Sequence, residues 1–190
     1  MAGQPAAAVV FLVLFALAVT GESRLMRHTN RIALFDPTTM CKDATQFQKV
    51  CLKVAKASGA TSPNALVQAN VEAAITTTQQ VSKQVEKLMN SSSQDYQGIM
   101  GSALSACRES YDSTLDALQQ SQALLQNRGS HDDLMTQLSA ASTFVTTCKD
   151  SLGEVPEASY PPEKVHTLLH KLVSNTLDLG AKLNDHNEKH

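Results

Sequence analysis

Past Gly59 the apolar residues settle to a helical period. Val67, Val71, Ala74, Thr78, Val81, Val85 and Leu88 recur at alternating steps of four and three, which is one buried seam of a helix. Ser62 stands before it as a cap and Pro63 occupies the first helical position, where a missing N–H costs nothing. Asn90 to Gly98 reads as a polar turn. A second seam follows at Met100, Leu104, Cys107, Tyr111, Leu115, Leu118 and Leu125, ending near Asn127 and Gly129. Ser130 or Asp132 caps a third helix with Leu134, Leu138, Ala141, Val145, Cys148 and Leu152 on one side; Gly153 to Pro162 breaks it. A fourth opens at Pro161 or Pro162, shows Val165, Leu169, Leu172, Thr176, Leu179 and Leu183, and frays into a polar tail, 184–190. Short connections favour antiparallel neighbours. The expected fold is all-α: an antiparallel up-down-up-down four-helix bundle preceded by a small N-terminal helical hairpin.

The front of the chain has a different pattern. The first 21 residues carry no charged side chain, and Ala6 to Val19 form an unbroken apolar run. That run is shorter than the roughly 20 apolar residues a membrane helix needs. Ala18, Thr20 and Gly21 supply small residues for cleavage, so residues 1–21 read as a signal peptide. An uncleaved anchor is the alternative, because no Lys or Arg precedes the run. Cleavage leaves a mature chain starting near Glu22, with a basic arm over residues 22–34 (Arg24, Arg27, His28, Arg31) and a folded domain over 35–183. The arm reads as an N-terminal extension. The expected product is secreted and has no membrane segment after signal cleavage.

Composition narrows the partners. Sixteen Lys+Arg against 18 Asp+Glu give a formal charge of −2, which argues against nucleic acid. Hydrophobic residues at 42% with charged residues at 18% describe a folded chain, while 4% aromatics and no Trp make its core aliphatic. Gly 8 and Pro 6 are too few for the turns of a β-sandwich.

Secretion decides how the four cysteines are read, since an even count outside the cell points to bridges. Zinc is disfavoured because Cys41, Cys51, Cys107 and Cys148 form no C-x-x-C pair. From Cys107 the second helix runs on for about 20 residues, roughly 30 Å, and the third returns for about 18, roughly 27 Å, to Cys148. Both sulfurs therefore arrive at one level. Cys41 and Cys51 remain, and a straight helix would hold them about 15 Å apart, so the chain doubles back between them. Asn90-Ser91-Ser92 is a glycosylation sequon, a further mark of the secretory route.

Catalytic chemistry is hard to find. There is no G-x-S-x-G and no G-x-x-x-x-G-K. His166 and His170 stand one helical turn apart, but HTLLH lacks the Glu of H-E-x-x-H, and a solvated or rim pair is the favoured reading. Asp132-Asp133 fits capping and the positive end of a helix dipole better than a pair of catalytic acids. No catalytic residue, metal or cofactor is expected. Binding has a physical form on the third helix: at 100° per residue Thr136, Ser139, Thr143, Thr146, Thr147 and Asp150 lie opposite Leu138, Ala141 and Val145. Short hydroxyl side chains lose little rotamer entropy on docking and admit close approach. An ordinary solvent face is the competing explanation.

Several blocks resemble the plant invertase and pectin methylesterase inhibitor family. Ala103-Leu104-Ser105-Ala106-Cys107-Arg108-Glu109-Ser110-Tyr111-Asp112 is similar to its "L-x-D-C-x-E-x-Y" helix, with Ala106 where Asp is usual. Leu138-Ser139-Ala140-Ala141-Ser142-Thr143, followed by Thr147-Cys148, resembles "L-S-A-A-L-T-x-x-x-T-C". Ser174-Asn175-Thr176-Leu177 resembles "S-N-x-L". The front departs, with Asp36-Pro37 ahead of Cys41 and Thr45-Gln46-Phe47 in place of the family's "T-x-Y-P". The resemblance implies a secreted four-helix bundle with a helical hairpin and two disulfides, docking by helix faces onto a carbohydrate-active enzyme of the apoplast or cell wall, with Thr143 at the matching threonine. Within the family the LSAA block leans toward pectin methylesterase as target; acid invertase is the alternative, although His131-Asp132-Asp133 replaces the Pro-Lys-Phe element of some invertase inhibitors. The chain ends at His190 without a pectinesterase domain, so a free-standing inhibitor is expected. A secreted carrier of a small apolar ligand is a further alternative, requiring a cavity near Ala74 and Thr78.

Overall fold

A computed structural model describes residues 35–91, 98–153 and 162–183. The signal peptide, the basic arm, the Ser92 end of the sequon and the polar tail expected from the sequence lie outside those residues. Among the described residues there are six α-helices and no strand.

Two short helices, α1 (Pro37–Ala44) and α2 (Gln48–Ser58), form the hairpin. Asp36 starts α1: its carboxylate accepts from Thr38 N at 2.9 Å and from the Thr39 hydroxyl at 2.8 Å. The Thr39 hydroxyl and then the Thr38 N–H hold its carboxyl below the usual range. Pro37 follows at the first helical position, where its fixed φ suits the turn. Thus the Asp36-Pro37 pair, which looks like an interruption, begins the helix. Gly59 ends α2 at φ +63°, with its N–H on Ala55 O, a conformation a Cβ would disfavour.

The four long helices are α3 (Pro63–Ser91), α4 (Ile99–Gln126), α5 (His131–Gly153) and α6 (Glu163–Ala181). Ser62 Oγ accepts from Ala65 N at 3.1 Å, so the expected cap is in place. Ser130 heads α5: its Oγ accepts from Asp133 N at 3.4 Å and its carbonyl from Leu134 N. Asp132 and Asp133 occupy the first turn, where negative charge meets the positive end of the helix. α4 ends at Gln126 with Asn127 as its C-cap, near Asn127 and Gly129 as the sequence reading expects. Arg128 takes the left-handed conformation (φ 52°), and Gly129 N donates to Leu124 O at 2.8 Å. Gly129 lies close against Leu124: a Cβ there would stand 2.5 Å from Leu124 Cδ2, so that side chain would have to move aside.

The seams pack as their period requires. Val67, Val71, Ala74, Thr78, Val81 and Val85 of α3 are fully buried, as are Leu138, Ala141, Val145 and Cys148 of α5. α4 packs on α3 and α5, α6 packs on α3 and α5, and the hairpin lies on α3 and α6. The core has two clusters, one around Cys107, Cys148 and Tyr111, the other around Cys41, Cys51, Val67, Val71 and Leu138. Each holds one disulfide: Cys107–Cys148 with Cα atoms 4.3 Å apart, and Cys41–Cys51 with 5.6 Å. Buried hydroxyls are satisfied locally. Thr78, Thr114, Ser121 and Thr176 each donate to the carbonyl four residues back at 2.7–2.8 Å, so they sit in an apolar core without an unmet donor.

Candidate functional site

Among the described residues α5 packs chiefly on α4 and α6, and one of its sides is left exposed. Thr136, Ser139, Thr143, Thr146, Thr147 and Asp150 all stand on that side and all are exposed. The opposite side carries Leu134, Leu138, Ala141, Val145 and Cys148 into the core. The helical period of α5 therefore brings the six sequence-predicted residues together on one strip. Their hydroxyls turn inward to the helix: Thr136 donates to Asp132 O, Thr143 to Ser139 O, Thr146 to Ser142 O and Thr147 to Thr143 O, at 2.9–3.1 Å. The γ-methyls and the hydroxyl lone pairs are what remain for a partner.

Shallow hollows flank the strip. On the α6 side Ser139, Ser142, Thr143, Thr146, Thr147 and Asp150 line one of about 450 Å³, with Leu177 of α6 at its edge. On the α4 side Gln120, Leu124, Asn127, Asp133, Thr136 and Gln137 line another of about 390 Å³. Both open to solvent, and neither enters the core. The gap that a carrier would need near Ala74 and Thr78 is closed, since both residues are fully buried. Ser142 and Leu177 escaped the residue-level reading of the strip, because Ser142 lies about 100° from Thr143 around the helix and Leu177 is on another element. Both do fall within the motif blocks quoted above.

The two histidines separate. His166 is buried at 6% exposure, which corrects the expectation of a solvated or rim pair. Its Nδ1 lies 2.8 Å from Tyr111 Oη, which is itself 3.1 Å from Cys148 Sγ. Burial first, then the positive charges of His170 and Lys149, push the His166 imidazole down to about 4. His170 stays on the rim, edge-on to Phe47 at 6.0 Å. Among the described residues no three His, Cys, Asp or Glu side chains are grouped as metal ligands.

Asn175 and Asp178 of α6 hold the hairpin. Asn175 accepts from Phe47 N and donates to Phe47 O, each at 3.0 Å, and Asp178 accepts from Gln46 N at 3.1 Å. Lys171 Nζ sits 5.7 Å from the centre of the Phe47 ring.

Comparison with known proteins places this arrangement. Residues 36–179 match the family described as plant invertase/pectin methylesterase inhibitor. The chain belongs to that family. A mutant form of a pectin methylesterase inhibitor from Arabidopsis has a similar fold, with a TM-score of 0.67 at 16% identity over 77% of this chain and 97% of that one. A pectin methylesterase inhibitor from Arabidopsis thaliana aligns with a TM-score of 0.59 at 17% identity, over 77% of this chain and 95% of that one. A search of curated proteins finds no match. For this invertase/pectin methylesterase inhibitor-family domain, the described helices include none long and apolar enough to cross a membrane.

Proposed function

We propose that this protein is a secreted inhibitor of a cell-wall pectin methylesterase, and that the bare face of α5 docks over the enzyme's active-site cleft and keeps its polymer substrate out. The observation that carries the reading is the union of family membership with one exposed helix face of short side chains, set on a scaffold pinned by two disulfides. A pinned scaffold loses little freedom on association. The four long helices are taken to alternate in direction. The α4–α5 disulfide and the contact of His131 Nε2, at the start of α5, with Gly180 O near the end of α6, at 3.0 Å, support that arrangement. Acid invertase is the alternative target. Residues 1–21 serve as the export signal to the apoplast, and the exposed Asn90 on α3 as the glycosylation site.

Purified, oxidised protein titrated against a pectin methylesterase and an acid invertase is expected to slow the first stoichiometrically. Thr143→Arg is expected to weaken inhibition by at least about tenfold, with the melting temperature unchanged because Thr143 is exposed. Inhibition of neither enzyme ends the reading; inhibition of invertase alone reassigns the target. Full inhibition by the variant moves the interface off α5.

A further inference from the structure

Four of the five hydroxyls on the α5 strip have committed their only proton to the helix backbone. A threonine whose O–H is already donated has only lone pairs left to offer. At 100° per residue Asp132 falls on the same strip, so the residues from Asp132 to Asp150 that face outward lie within an arc of about 100°. A carboxylate therefore stands at each end of the strip and threonine oxygens stand between. Lys149, the one lysine of α5, lies about 120° from Thr143, on the side turned toward α6. The flanking hollows hold no base either, and Asp133 and Asp150 are among the residues that line them. On the strip itself only Ser139 retains a hydroxyl proton; Ser142 and the amides of Gln120, Asn127 and Gln137 add donors in the flanking hollows. Hydrogen-bonding capacity along the strip itself is mostly that of an acceptor, and its charge is negative.

We propose that this face selects its partner by accepting, and that the surface it covers is basic and rich in N–H donors, supplied by lysine, arginine and asparagine side chains of the target enzyme. The inference rests on α5 being the docking face, as read above. Donors seated on this strip meet oxygens already fixed by their own backbone bonds, so little rotamer freedom is lost on contact. Acceptors on the partner that seat along the centre of the strip would find only the Ser139 hydroxyl to pair with and would otherwise be desolvated without compensation. The same strip also presents threonine γ-methyls, and the alternative is that these make the contact and the oxygens do not.

Two double variants separate the possibilities in the full, oxidised chain, tested for binding to a purified pectin methylesterase and in parallel to a purified acid invertase. Thr143→Val with Thr147→Val keeps the shape and removes two acceptors; Thr143→Ser with Thr147→Ser keeps the acceptors and removes two methyls. The valine pair is expected to bind about ten- to hundredfold more weakly, and the serine pair within about threefold of the parent. Asp150→Asn is expected to weaken binding and flatten its dependence on salt. Melting curves confirm that each variant is folded. A damaging serine pair with a harmless valine pair overturns the proposal in favour of a methyl contact. If both pairs are harmless while Thr143→Arg abolishes binding, α5 docks but its acceptors are unused, and the proposal fails by itself. If Thr143→Arg is harmless as well, the docking-face reading has failed and takes this inference with it.

Discussion

At the scale of single residues, the most consequential side chain is one the sequence left on the surface. His166 belongs to an i, i+4 histidine pair, and the helical period alone does not say which of the two turns inward. The buried Tyr111 settles it, holding the His166 ring at 2.8 Å beside the Cys107–Cys148 bridge. Because His166 titrates at about 4 in the fold, chiefly through burial, and near 6.5 when unfolded, the unfolded chain binds the extra proton between those values. The contribution of His166 to stability is therefore complete above about pH 6.5, declines as pH falls toward 4, and is lost below that. The lost contribution is at most about 3 kcal/mol. Thermal melts from pH 7.5 to 3.5 are expected to show this decline, and His166→Leu to flatten it. A parent whose melting temperature is level between pH 6.5 and 4 would contradict the assignment. The strip on α5 is a different case: its members were legible, because exposure follows from period once the core side is known. That their hydroxyls bond backward was not, because a solvent-facing threonine has more than one rotamer open to it.

At the scale of elements, caps and seams were readable wherever a local rule applied. Ser62-Pro63 and Ser130 with Asp132-Asp133 mark helix starts by chemistry that needs no tertiary context. The end of α4 near Asn127 was readable; that Arg128, and not Gly129, takes the left-handed conformation was not. The hairpin's seat was hidden as well: Asn175 lies 128 residues beyond Phe47, and no local pattern links a loop peptide to a distant amide. That single side chain meets both the N–H and the C=O of Phe47. Asn175→Ala leaves both peptide groups without these partners and is expected to cost about 2 kcal/mol. Hydrogen exchange is the discriminating measurement. Protection in α1 and α2 is expected to fall well below that in α4 and α5, and a uniform loss across all helices would show that Asn175 supports the whole core instead.

On the scale of the whole molecule, two disulfides serve two halves of one core, and they are not equivalent. The Cys107–Cys148 bridge closes a loop with a sequence separation of 41, the Cys41–Cys51 bridge one of 10. Chain-entropy estimates give about 4 kcal/mol for the longer and about 3 kcal/mol for the shorter. Against a usual margin of about 5 to 15 kcal/mol, replacing Cys107 and Cys148 together by Ala is expected to lower the denaturant midpoint more than replacing Cys41 and Cys51. The reverse order would mean that the hairpin contributes more than its loop length implies. The pairing itself was legible from helix lengths, since travel out along one helix and back along the next returns to the same height. The tethering of an N-terminal hairpin by the last helix has a further consequence, for biosynthesis. At about 5 to 20 residues per second, Phe47 leaves the ribosome on the order of ten seconds before Asn175 exists to receive it. For that interval the hairpin, whether or not its thiols have already joined, waits without its dock, and its seat forms only once α6 has been made.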